Sequence, residues 1–163
     1  MSDPKPVRRV VTGHDARGRA VIFADDSVVP AAYPGQDAAF VKVWTTATVP
    51  VDNNDPVDGR ERVMALHGQG GSAIRVVDMP PGFVSPMHRT GSIDYIIILS
   101  GQLELELDDG VRTLVGPGDI VVQRGTIHRW RNPSGTEICR GVMVLTEARR
   151  YELDGVPLEN VLP

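Results

Sequence analysis

Asp94-Tyr95-Ile96-Ile97-Ile98-Leu99-Ser100-Gly101-Gln102-Leu103-Glu104-Leu105-Glu106-Leu107-Asp108-Asp109-Gly110-Val111-Arg112-Thr113-Leu114-Val115-Gly116-Pro117-Gly118-Asp119 decides the fold class. Asp94–Ser100 is apolar and β-branched, and Gly101 turns the chain. Gln102–Leu107 then alternates polar and apolar, the pattern of a strand with one wet face. Asp109-Gly110 is a strong hairpin dipeptide leading into Val111–Val115. Gly116-Pro117-Gly118-Asp119 makes the next turn.

The same rhythm continues outward. Downstream, Ile120–Gln123, Ile127–Arg131 and Ile138–Thr146 read as strands, followed by a weakly patterned tail expected to pack across the outside. Upstream, Ser72–Asp78 is a strand stopped by Met79-Pro80-Pro81-Gly82, and Phe40–Thr46, with Trp44, is another. Val7–Thr12 and Arg19–Phe23 form a strand pair around a turn containing Asp15 and Gly18. Val49–Gly59 is rich in Pro, Asp and Asn, so it is a loop, expected to fold over a barrel mouth. Seventeen glycines and thirteen prolines punctuate these runs, and no sustained helical periodicity interrupts them. The chain is expected to be all-β, a sandwich or barrel in one domain.

Composition narrows the function classes. Apolar residues make up 41% and charged residues 23%, values of an ordinary globular chain. A net charge of −4 without a basic cluster argues against nucleic acid as partner. The longest apolar runs are too short to span a bilayer, and the N-terminus lacks the apolar core of a signal peptide. Cytoplasmic localisation is the expectation. Cys139 has no internal partner and reads as a small buried hydrophobe. His14 reads as a turn residue, and His67 lies in a Gly-rich loop without the lysine of a phosphate cradle. Arg129, Arg131 and Arg140 fall on positions read as outward-facing.

Two segments resemble the motifs of the cupin superfamily. In Pro81 to Tyr95, running on to Gly101, the residues Gly82, His88 and Gly101 fall in register with the first motif. Thr90 stands where the family has a second histidine, and Asp94 stands where it has glutamate. In Gly118 to Asn132, the residues Gly125, His128 and Asn132 match the second motif, with Gln123 replacing a proline. The resemblance implies a small antiparallel double-stranded β-helix, or jelly-roll barrel. Motif 1 would span about 82–101 and motif 2 about 118–132, with strands 7–46 and tail 147–163 as extensions of a single domain over 1–163. It also resembles small cupins of microbial secondary and aromatic metabolism, and it implies a homodimer formed through sheet contacts such as Ile138–Leu145.

The resemblance points His88, Asp94 and His128 into the barrel as the catalytic set. Thr90 would share the face of His88, Trp130 that of His128, and Ile96 and Ile98 that of Asp94. Thr90, Tyr95, Trp130 and Arg75 are the expected substrate-binding residues, with Arg124 a further cation if it reaches the mouth. An arginine there would imply a carboxylate or enolate-bearing small molecule. Three functions follow. The first is non-redox acid–base chemistry by a lyase or isomerase: dehydration, decarboxylation or isomerisation. The second is an Fe(II) dioxygenase in which His88, Asp94 and His128 hold one divalent metal (Fe, Mn, Zn or Ni) as a two-His-one-carboxylate set. The third is a metabolite-binding cupin without turnover.

Overall fold

The computed structural model describes residues 5–32, 37–63 and 70–161. The Gly-rich loop holding His67 lies outside the described residues, apart from its last glycines. In chain order the strands are β1 (Val7–His14), β2 (Ala20–Val28), β3 (Ala31–Ala32), β4 (Ala39–Thr45), β5 (Ser72–Met79) and β6 (Ser92–Ser100). They continue with β7 (Leu103–Glu106), β8 (Arg112–Val115), β9 (Ile120–Arg124), β10 (Arg129–Arg131), β11 (Cys139–Glu147), β12 (Glu152–Leu153) and β13 (Val156–Pro157). Every pairing among them is antiparallel. Among the described residues no helix is long and apolar enough to cross a membrane.

Two sheets face one another as a jelly-roll barrel. The larger runs β3-β4-β5-β11-β6-β9 and the smaller β10-β7-β8. Their facing sides supply the core: Val77, Met79, Ile96, Ile98 and Cys139 from one sheet, Leu103, Leu105 and Trp130 from the other. On β6 the alternation is strict. Asp94, Ile96 and Ile98 are buried, while Tyr95 and Leu99 are exposed. The hairpin between β7 and β8 turns where Asp109 and Gly110 both take positive φ, 56° and 71°, which is why a glycine is needed there.

The polar face of β7 is wet only in part. Glu106 is buried because Arg129 (2.6 Å) and Arg112 (3.1 Å) close on its carboxylate, and Glu104 meets Arg131 at 3.3 Å. The outward arginines are thus a cross-strand ion ladder. Arg140 likewise grips Asp78 through two 2.6 Å bonds.

The 49–59 loop does not cover the barrel mouth. Asp58 is held by Arg9 of β1 at 2.6 Å, and Gly59 lies flush against Trp44, where an added Cβ would come within 2.6 Å of the indole. The loop therefore lines a separate cavity against the β1–β2 hairpin, together with the exposed His14. The tail does pack back: Val161 and Arg89 exchange backbone bonds of 2.8 and 3.0 Å.

Candidate active site

Two histidines from the two motif segments meet because their backbones pair. His88 N donates to His128 O at 2.8 Å, and His128 N donates to His88 O at 2.9 Å. Residues directly opposite in such a pair project side chains to the same face. Their rings accordingly sit 4.2 Å apart, tilted by 50°. Trp130, two residues along, packs against His128 in a T-shaped arrangement, with the ring centroids 5.5 Å apart.

The same device fixes both rings. Nδ1 of His88 lies 2.9 Å from Pro86 O, and Nδ1 of His128 lies 3.0 Å from Thr126 O. A carbonyl only accepts, so each neutral ring carries its proton on Nδ1 and keeps the Nε2 lone pair for the cavity. Burial, and then the charge of nearby His88, push His128 down to about 4 from its ordinary 6.5. It is a neutral base across the physiological range.

Asp94 completes the polar patch. It is buried, and its Oδ1 has no hydrogen-bond partner. Burial raises its pKa; the hydroxyls of Ser92 and Thr90 and the charges of His88 and Arg75 pull the other way. The Ser92 hydroxyl also donates to Thr90 Oγ1 at 2.9 Å. Such a carboxylate costs stability at neutral pH. The sign is clear: a raised carboxyl pKa favours the fold below the unfolded value near 3.8, and that contribution is lost as pH rises through the folded value. Asp94→Asn is therefore expected to raise Tm by roughly 2–4 °C at pH 7, about 1 kcal/mol, with the gain vanishing below pH 4. A lower Tm at pH 7 in a thermal melt would show that Asp94 is held by attraction rather than merely tolerated.

One cavity of about 120 Å³ collects His88, Thr90, Asp94, His128, Trp130 and Arg75. It is comparable to a cavity of about 150 Å³ that holds a single aromatic ring. Tyr95 is not in it. Period two from Asp94 sends Tyr95 to the outer face, where it is 39% exposed. Arg124 also points elsewhere, into a different cleft. The remaining walls come from residues that sequence reasoning did not single out: Ala38, Phe40, Phe83, Pro86, Met143 and Leu145. Counting by two from Arg75 would have found Val77 and Met79, and the same parity links Met143 to Leu145. Nothing in the residue types would have disclosed the carbonyl pins.

The unpartnered Oδ1 and the two free Nε2 atoms are donors a divalent metal accepts. Yet among the described residues no three His, Cys, Asp or Glu side chains come together in a group that could hold an ion. Thr90, in the place of the family's second histidine, adds only a hydroxyl.

Comparison with known proteins agrees with the barrel. The model of the cupin domain matches residues 75–145. A phomopsin biosynthesis cluster protein of Diaporthe leptostromiformis is 41% identical over 160 residues, covering 94% of this chain and 85% of its own. A cupin-domain-containing oxidoreductase of Aspergillus ruber is 35% identical over 162 residues, covering 96% and 80%. Among solved structures, the Cnp3 cupin domain of Schizosaccharomyces pombe superposes with a TM-score of 0.54 at 15% identity, over 90% of this chain and 89% of that one. The motifs, the double-stranded β-helix and the relatives agree, and this chain belongs to the cupin family.

Proposed function

We propose that this chain is an enzyme of small-molecule biosynthesis that moves protons within the barrel cavity. The observation that carries it is the histidine pair, each ring pinned through Nδ1 to a carbonyl, with His128 held neutral in a cavity that also holds the buried carboxyl group of Asp94. The names of the relatives, which place them in biosynthetic clusters, support a biosynthetic role.

The substrate fitting these groups is a small carbonyl compound with an acidified C–H bond. Nε2 of His128 takes that proton, and the positive charge of Arg75, in the same cavity, favours the resulting enolate. The imidazolium formed on a ring with so low a pKa is a strong acid, so it readily returns the proton. Delivered to a leaving hydroxyl, the proton departs as water; delivered to another carbon, it completes an isomerisation. His88, half-buried, relays the proton, and Trp130 and Thr90 wall the substrate.

The metabolite that accumulates when the gene is disrupted in its source organism provides the test. The purified protein should convert it to a product of equal composition, or one lighter by water. A second reading, oxidation at the same residues, is favoured by the word oxidoreductase in the names of several relatives. A product that has gained oxygen or lost hydrogen would select it.

The chain is further proposed to form a homodimer through the outer face of the larger sheet. Tyr95 pairs with Val122, and Leu99 and Ile120 extend the exposed apolar surface beside them. Light scattering should return twice the 17.7 kDa chain mass, and a monomeric mass would refute the dimer.

A further inference from the structure

On the other side of Thr90 lies a second cavity, of about 210 Å³, into which Arg89, Arg124, Arg149 and Arg150 converge. Thr90 lines both cavities, so the two share a wall. Several arginines elsewhere are matched to acids: Arg8 with Asp25, Arg9 with Asp26 and Asp58, Arg140 with Asp78. In this cleft the matching fails. Arg150 meets Glu159 at 2.6 Å, but among the described residues Arg89, Arg124 and Arg149 have no carboxylate partner. Arg89 reaches only the Glu159 carbonyl, at 3.3 Å, and its Nε is buried with no hydrogen-bond partner at all.

The backbone holds the cluster in place. Arg89 is tied to Val161 by the reciprocal bonds already described, and Gly125, at φ 62°, turns the chain directly after Arg124. Four like charges gathered beside the single acid Glu159 repel one another, and this chain is acidic overall, with a net charge of −4. A cluster of this kind is neutralised by an anion from outside. Guanidinium groups recognise phosphate and carboxylate oxygens as two-pronged donors. A single carboxylate would leave most of the charge unmatched, whereas a phosphoryl group carries two charges and oxygens in several directions.

We propose that this cleft is a binding site for a phosphate-bearing small molecule, adjoining the barrel cavity but built from different side chains. The proposal does not rest on the acid–base chemistry of the histidines. Arg124 and Arg149 are exposed and hold no structural partner, so replacing them leaves the fold intact.

The test is calorimetric titration of the full chain with inorganic pyrophosphate. Saturable binding is expected, weaker by at least about tenfold in the Arg124→Ala/Arg149→Ala double variant. Binding should be unchanged in Arg17→Ala, which removes an exposed arginine on the distant β1–β2 turn, and in His128→Gln. Succinate, a dicarboxylate, should bind more weakly than pyrophosphate. Absence of saturable binding would overturn the proposal. So would a loss in Arg17→Ala equal to that in the double variant, or succinate binding as tight as pyrophosphate.

Discussion

Replacing His128 by glutamine is expected to lower turnover by about 10²–10⁴-fold, the range lost when a positioned acid–base group is removed. The barrel should survive, because the backbone bonds between residues 88 and 128 do not involve the ring. The variant has a second, independent signature in stability. Folded His128 titrates at about 4 and the unfolded residue near 6.5. Between those values the unfolded chain binds a proton that the folded chain refuses, so stability rises with pH across the window. The wild type should therefore lose up to about 3 kcal/mol from this residue as pH falls from 6.5 to 4. His128→Gln removes that loss. Thermal melts at pH 7 and pH 4.5 should show the wild type falling further than the variant. Equal falls would mean that His128 titrates alike in the folded and unfolded chains, and unaltered turnover would remove it from the chemistry.

Asn132→Ala is expected to cost about 3 kcal/mol of stability and roughly 10 °C in Tm. Asn132 is 1% exposed, and its Nδ2 reaches the carbonyls of Met79 (2.9 Å), Pro80 (3.1 Å) and Glu137 (2.8 Å). Its Oδ1 accepts from Ser134 N at 3.0 Å. One side chain thus fastens the end of β5 to the segment entering β11. Truncation leaves buried carbonyls without a donor, and each such orphan costs on the order of 1–3 kcal/mol, less than additively. Asn132→Asp should be at least as harmful, since a carboxylate offers these carbonyls no proton. A loss below about 1 kcal/mol in either variant would show that water replaces the amide.

Much of this architecture was open to a reader of residues alone. Asp109-Gly110 announced its hairpin because both positions need positive φ, a local demand that local sequence can meet. Alternation along β6 placed Asp94, Ile96 and Ile98 on one face, and the structure agrees. The same rule excluded Tyr95, whose resemblance to a substrate-orienting residue came from chemistry rather than parity. The loop at 49–59 went astray because an ion pair between Arg9 and Asp58, far apart in the chain, decides where it lies. Glu106 looked solvated because its partners, Arg112 and Arg129, arrive from two other strands. The pins on His88 and His128 are backbone carbonyls, which every residue possesses, so no residue type could signal them.

The central claim is that protons, moved by His88 and His128, carry the reaction. It is tested most directly by incubating chelator-treated protein, without oxygen, with the metabolite that accumulates in the gene's absence. Full conversion to an isomer or a dehydrated product, lost in His128→Gln, is the expected result. Conversion that begins only when iron and oxygen are restored, with oxygen atoms in the product, would contradict it.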